Sequence, residues 1–237
     1  MEFAEMQTDA LDLLHELQNH GQYTSDKLKH YINRGSVEFV KRTMCIEAPI
    51  DITTVASQFE YTEADAAGLA YLLKPIQIRY VDSASEVGEP LRMFRGGYTN
   101  LPKTKQYGTP SEYWIRNVPG KTRGALPVAF TGARLGTWPI CATSAKTLRL
   151  DAFLWPVPLV GDTDIPEYKD AWHDAPVYWA AYRMILNFSH LRKGWHDKAL
   201  ELKAIFDEYV ESARRDLVSQ DDGPFIPIDV VQSSWDY

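Results

Sequence analysis

The chain has 237 residues, 45% of them hydrophobic and 24% charged, with a formal net charge of −7 and a pI near 5.4. That is enough chain to bury a real core as one large domain or two small ones, and its acidity excludes a module that holds duplex DNA on its own. The first residues, Met1-Glu2-Phe3-Ala4-Glu5, lack a basic-plus-apolar signal. No apolar run approaches the ~18 residues of a membrane helix, so the sequence reads as soluble and made in the cytoplasm.

From Glu5 to Asn19, Leu11, Leu13, Leu14 and Leu17 predict a short amphipathic helix that Gly21 can end. A second helix follows, capped by Thr24 or Ser25, with Leu28, Tyr31, Ile32, Phe39 and Val40 on its buried face up to about Met44. Gly35 interrupts this stripe at a cost of ~1 kcal/mol against alanine, which predicts a close approach by another helix.

After Pro49 the period changes from helical to alternating. Ile50, Ile52 and Thr54, then Phe59 and Tyr61, flank Ala56-Ser57-Gln58 and read as a hairpin of two short strands. Residues 63–74 fit one or two helical turns, and Ile76, Ile78 and Tyr80 alternate as a strand. Glycine and proline punctuate 88–139, with brief strands expected at Glu112–Arg116 and Leu126–Phe130. A last strand runs from Thr147 to Trp155 and leads into Pro156-Val157-Pro158. Short strands without helical crossovers predict an antiparallel sheet.

The stretch 164–216 reads as a helical hairpin. Asp164 and Ile165-Pro166 suit a helix start, but Pro176 inside a continuous helix would cost ~3 kcal/mol. A short turn at 166–172 with a restart capped by Asp174 resolves the conflict. Ala175, Tyr178, Trp179, Tyr182, Ile185 and Leu186 make one apolar stripe. Trp195, Ala199, Leu202, Phe206, Tyr209, Val210, Ala213 and Leu217 make another, after a break at Lys193-Gly194 where glycine can end a helix.

The ending differs in kind. Residues 219–237 have two prolines and no helical period, yet Phe225, Ile226, Ile228, Val230, Trp235 and Tyr237 are too apolar for a solvated linker. They suit an extended arm that buries itself, on a neighbouring chain in preference to its own subunit. The fold class is therefore α+β: a four-helix bundle with an inserted antiparallel β module and an extended C-terminal arm. Its parts are a helical pair at 1–46, the β module at 47–163, the helical hairpin at 164–218 and the arm at 219–237.

Charge is unevenly spread. Between Leu91 and Leu150 lie ten basic residues, Arg92, Arg95, Lys103, Lys105, Arg116, Lys121, Arg123, Arg134, Lys146 and Arg149, against the single acid Glu112. Arg92, Arg95, Lys103, Lys105, Lys121, Arg123 and Arg134 are the candidates for a surface facing an acidic neighbour, whether nucleic acid, a partner protein or another copy of this chain.

Catalytic signatures fail on geometry. His15 and His20 are five apart, which turns them ~140° from each other on a helix and prevents a shared metal. Gly120-Lys121-Thr122 lacks the first glycine of a phosphate-binding loop, since position 115 is Ile115. Capping and solvation account for His173, His190 and His196, and Cys45 and Cys141, far apart in apolar company, read as buried free thiols. No catalytic residue, cofactor or metal is assigned, and an enzyme is not expected.

The order of features points elsewhere. After the helix pair come Val55-Ala56-Ser57-Gln58-Phe59-Glu60-Tyr61 and Gly108-Thr109-Pro110-Ser111-Glu112-Tyr113-Trp114-Ile115. Then come Leu148-Arg149-Leu150 running to Trp155-Pro156-Val157-Pro158, Ile165-Pro166-Glu167 and Trp172-His173-Asp174-Ala175-Pro176-Val177-Tyr178-Trp179. This order resembles the head-to-tail adaptor (connector) proteins of tailed bacteriophages, the group that includes the tail tubular protein A and tail accessory factor of short-tailed phages. It departs from that pattern at Ser57, where the family has glycine, and at Thr62-Glu63, where the family has Leu-Pro.

The resemblance implies a structural virion protein at the neck: a ring of about twelve copies on the portal, gripping a tail nozzle or tail tube protein, with viral DNA passing through unbound. It implies no membrane partner and places the arm on the portal. A tail-nozzle or head-completion protein is the nearer alternative, and a cytoplasmic binding or enzymatic domain with an unrecognised pocket is the alternative of another class.

Overall fold

A computed structural model describes residues 1–14, 24–82, 88–94, 105–117, 133–188 and 194–220. The element order is α1 (Phe3–Leu13), α2 (Ser25–Thr43), β1 (Glu47–Thr53), β2 (Glu60–Tyr61), β3 (Leu72–Val81), β4 (Glu89–Pro90), β5 (Arg92–Met93), β6 (Tyr107–Gly108), β7 (Glu112–Asn117), β8 (Ala133–Trp138), β9 (Ile140–Cys141), β10 (Thr147–Leu154), α3 (Ala175–Phe188) and α4 (Trp195–Gln220). Short 3-10 turns at Ala67–Tyr71 and Asp170–Trp172 precede β3 and α3. The fold is mixed α+β, with four α-helices among the described residues.

The helices form where their apolar stripes predict them. Thr24 caps α2, its hydroxyl accepting from the Lys27 amide at 3.3 Å, and Met44 ends it in the left-handed conformation. The chain restarts at Asp174, whose carbonyl accepts from Val177 and Tyr178, so Pro176 sits in the first turn of α3 where no N–H is missed. Gly194 differs from expectation: its φ is +93°, but it stands immediately before α4 and its carbonyl accepts from Lys198, so it opens a helix. Gly21, at the expected end of α1, lies outside the described residues.

α3 is the hub of the helical layer, packing on α1, α2 and α4. Ile32, Leu28, Val177, Ala180, Ala181, Met184, Ile185 and Leu202 share one buried cluster with Phe3, Met6 and Ala10 of α1. A second cluster, Phe39, Trp172, Phe206, Val210 and Ala213, reaches Ile46, Leu73 and Leu154 and joins the helices to the β module.

Two four-stranded sheets, ordered β1-β10-β3-β4 and β2-β8-β7-β5, bury a common core of Ile50, Ile52, Ile78, Leu148, Leu150 and Ala152 from the first with Tyr61, Tyr113 and Leu135 from the second. The solvent side of the first sheet carries Arg149, which holds Asp51 with two bonds of 2.8 Å, and Arg79, which holds Asp151. On the second, Trp114 lies across Gly136, where an added Cβ would fall 2.0 Å from the indole.

The expected hairpin at 50–61 is corrected. The turn exists, with Ser57 at φ +65° and Gln58 donating to the Val55 carbonyl at 3.1 Å, but its arms enter different sheets: β1 pairs with β10 and β2 with β8. The cause is competition. Seven ladder positions hold β1 to β10, and Thr54 extends that ladder through Lys146 at 2.7 Å, before Ser57 donates to Cys141 at 3.0 Å. Among the described residues the antiparallel expectation holds for every pairing except β5–β7 and β6–β9, which are short and parallel. The strand expected at 126–130 lies outside the described residues, and β8, an unexpected strand, is central in its sheet.

Candidate assembly surfaces

The segment 155–166 is rigidly built although it has no regular structure. Asn33, buried on α2, uses both ends of its amide on the backbone of Leu159. The Asp164 carboxylate accepts from the amides of Val160 at 2.7 Å and Gly161 at 2.8 Å, which hold its carboxyl below the usual carboxylate range. Carbonyls of Asp164 and Asp162 accept from the Phe3 and Ala4 amides, so the loop satisfies N–H groups that the first turn of α1 leaves unpaired. Lys29 closes the arrangement on Asp162 at 2.9 Å. With its backbone occupied in this way, the loop turns Val157, Val160 and Ile165 outward.

The basic stretch is distributed differently from its composition. Arg116 and Arg134 both reach the largely buried carboxylate of Glu60, at 2.8 and 3.3 Å. Lys146 pairs with Asp82 and Arg149 with Asp51. These acids lie outside 91–150, so Arg134 and three of its neighbours are partly neutralised within the subunit. Arg92 on β5 and Lys105 before β6 are exposed, beside exposed Met93 and Tyr107. Arg95, Lys103, Lys121 and Arg123 lie outside the described residues, as do Phe225, Ile226, Ile228, Val230, Trp235 and Tyr237 of the arm.

The acidic side is concentrated around α1 and the loop. Residues 1–24 and 156–168 contain eight carboxylates and no lysine or arginine. Asp9 registers this: burial and the neighbouring carboxylates of Asp174, Asp12 and Glu5 push its carboxyl up from the ordinary value.

Other polar groups serve packing. His173 is fully buried, which corrects the solvated reading: its Nε2 lies 2.8 Å from the Tyr168 carbonyl and its Nδ1 3.1 Å from the Met1 amine. His196 is exposed, and His15, His20, His190 and Gly120-Lys121-Thr122 fall outside the described residues. Both cysteines are free thiols. Cys141 is buried, while Cys45 is half-buried and desolvated enough that its thiol is pushed up to about 11. Among the described residues no group of three His, Cys, Asp or Glu side chains is placed to hold a metal, and no helix is long and apolar enough to cross a membrane.

The profile of a known family, the SU10 adaptor protein, matches residues 1–227. The chain belongs to that family. A search of curated proteins finds no match. The family assignment bears out the phage adaptor resemblance and makes the protein a virion component; it does not extend to the tail tubular protein A group in particular. For an SU10 adaptor, the surfaces that matter are those meeting other phage proteins. Sequence reasoning missed the loop 155–166 as an exposed apolar segment, reading its prolines as a motif; the signal available was five large apolar residues, Trp155, Val157, Leu159, Val160 and Ile165, with Asp162 and Asp164 in a segment with no helical or strand period.

Proposed function

We propose that this SU10 adaptor is a non-enzymatic structural subunit of the virion neck: about twelve copies form a ring that joins the portal to a tail nozzle or tail tube protein and lines the DNA exit channel. The observation that carries this reading is the family match across residues 1–227. Three further features support it. Acidic and basic residues are segregated along the chain, which suits head-to-tail contacts between copies. Net acidity suits a conduit, because a basic lumen would hold DNA through counterion release while an acidic wall lets it slide. In this reading the four helices act as one bundle, and the arm, through Phe225, Ile226, Ile228, Val230, Trp235 and Tyr237, lies along the portal, each copy weak and the ring strong through multivalency.

The test is native mass measurement of the protein mixed with the portal protein encoded beside it, with each component alone as control. A complex holding about twelve copies on one portal ring is the expected result. Absence of any complex would move the assignment to a tail-side component.

A further inference from the structure

Arg183 on α3 is held differently from the other half-buried arginines. Among the described residues, Arg42, Arg79, Arg116 and Arg134 each lie within 3.3 Å of a carboxylate oxygen. Arg183 reaches none. Its guanidinium carbon sits over two rings of its own helix, 5.6 Å from the centroid of Trp179 and 6.0 Å from that of Tyr182. Its Nε is buried with no hydrogen-bond partner. The rings attract the charge and fix the group, but they accept none of its N–H donors. A buried donor left without an acceptor costs about 1–3 kcal/mol, which a methionine of similar length at the same place would not incur.

The same row of α3 continues four residues on to Asn187, whose Nδ2 donates to the Tyr31 hydroxyl of α2 at 2.7 Å. That bond uses the phenol oxygen as acceptor and leaves its proton free to donate, about one helical turn from the guanidinium. α3 itself contains no carboxylate and no second lysine or arginine. A planar fork braced on aromatic faces, with no anion of its own, matches a carboxylate taken in two parallel bonds. A nucleic acid fits less well. Its phosphates are held by several cations together, and α3 supplies one. Trp179 and Tyr182 already pack against the buried clusters of the helical layer and carry the guanidinium, which leaves little ring face for a nucleobase. Trp, Tyr and Arg are instead the side chains on which protein–protein contacts concentrate their energy.

We infer that Arg183, braced by Trp179 and Tyr182, is a carboxylate-binding site that takes an aspartate or glutamate side chain of a partner protein of the virion. The inference deepens the adaptor reading above and rests on it. It gives the subunit a polar contact chemically unlike the apolar arm. The fork selects a carboxylate by shape as well as charge, so lysine at 183 does not replace it.

The full chain, isotope-labelled, tests the site by nuclear magnetic resonance. The Nε–Hε signal of Arg183 and the indole N–H signal of Trp179 are followed as a hexaglutamate peptide is added. Inorganic phosphate and a single-stranded oligonucleotide, matched in charge, are the parallel arms. The peptide should move both signals saturably, and the Trp179 signal should report binding about tenfold weaker in Arg183→Lys. Arg183→Met should melt at or above the wild-type midpoint while losing the response, because an unpaired charge gives way to an apolar chain. A peptide that moves neither signal, phosphate that moves them equally, or an oligonucleotide that binds more tightly would overturn the site. So would a clear drop in midpoint for Arg183→Met, which would make the arginine a packing residue. Portal uptake by a chain whose Arg183 fails these tests would leave the adaptor reading standing.

Discussion

The side-chain amide of Asn33 brackets the backbone of Leu159: Nδ2 donates to its carbonyl at 2.9 Å and Oδ1 accepts from its amide at 2.8 Å. Two residues 126 positions apart are thereby locked in one orientation, and the exposed apolar loop takes its shape from that lock. Asn33→Ala leaves both backbone groups buried and unpaired, at about 1–3 kcal/mol for each group no water reaches. Asn33→Asp keeps the acceptor, loses the donor and sets a charge against a carbonyl. Denaturant melts should rank wild type above both variants, and hydrogen exchange should quicken at Leu159 before it does in α3.

At Gly35, α2 lies close against the first turn of α3. A Cβ there would lie 2.7 Å from the Pro176 carbonyl oxygen and 2.9 Å from its Cα, and both are backbone atoms that cannot step aside by changing rotamer. Alanine would gain about 1 kcal/mol of helix propensity and lose more to overpacking, typically 1–3 kcal/mol, so the net change is a destabilisation. Gly35→Ala should lower the thermal midpoint and Gly35→Val should lower it further. A rise with alanine would mean that α3 can slide away from α2.

Glu60 is shared by Arg116 and Arg134, with its side chain only 14% exposed. Glu60→Ala removes the carboxylate that Arg116 and Arg134 share; because the two guanidinium groups are 30% and 41% exposed and water can take up part of their charge, the cost should be about 1–3 kcal/mol, below that of a fully buried pair. Replacing all three with similar-sized apolar residues, Glu60→Met with Arg116→Leu and Arg134→Met, should recover most of that loss. Chemical denaturation of the single and triple variants distinguishes a structural cluster from an assembly site. A triple variant that folds normally but no longer self-associates would reassign Arg134 to an interface.

The helices were legible because their stripes repeat every three to four residues, and because Thr24, Gly35, Asp174 and Pro176 each have a local physical role that survives without tertiary context. β8 was not, since nearly every residue from Ala133 to Trp138 is buried and no alternation remains to be read. The turn at Ser57 was visible while its pairing was not, because the partner of β1 is a strand about a hundred residues later, with Ile50 opposite Leu150. The same limit applies to charge. The basic stretch could be counted, but Glu60, Asp51 and Asp82, which take up four of its cations, come from other segments. Only Arg92 and Lys105 of the described candidate residues emerge as exposed cations.

Asp9 gives a pH dependence whose sign is opposite to that of Asp51 and Asp164. Its raised carboxyl binds a proton more tightly in the folded chain, so its favourable contribution is complete below the ordinary value of 3.8 and is lost as pH rises through the raised value. Asp9→Asn should therefore stabilise the protein at neutral pH, by about 0.2–0.5 kcal/mol for each like-charge neighbour three or four residues away on the exposed helix. Salt should reduce the gain, because it screens the neighbouring carboxylates but not the burial of Asp9, and acid below 3.8 should remove it. Asp51, lowered by its bonds to Arg149, and Asp164, lowered by the Val160 and Gly161 amides, act the other way: they stabilise above the ordinary carboxylate value and stop doing so as pH falls through their own. Melting curves from pH 3 to 8 at two salt concentrations read both signs.

The arm supplies the last prediction. Among the described residues, three packed clusters hold the helices and join them to the sheets, and α4 runs to Gln220. Removing 221–237 should leave the thermal midpoint and the helical circular dichroism of the subunit close to wild type, because every residue named in those clusters is retained. Portal uptake should fall out of the measurable range, since a ring that binds through many weak arms loses all of them together. Single changes should act in graded fashion: Trp235→Ala more than Ile228→Ala, as aromatic anchors carry a larger share of interface energy. Uptake of the truncated chain at wild-type strength would sink the assignment of the arm to the portal, and a large drop in midpoint would instead show that the arm packs on its own subunit.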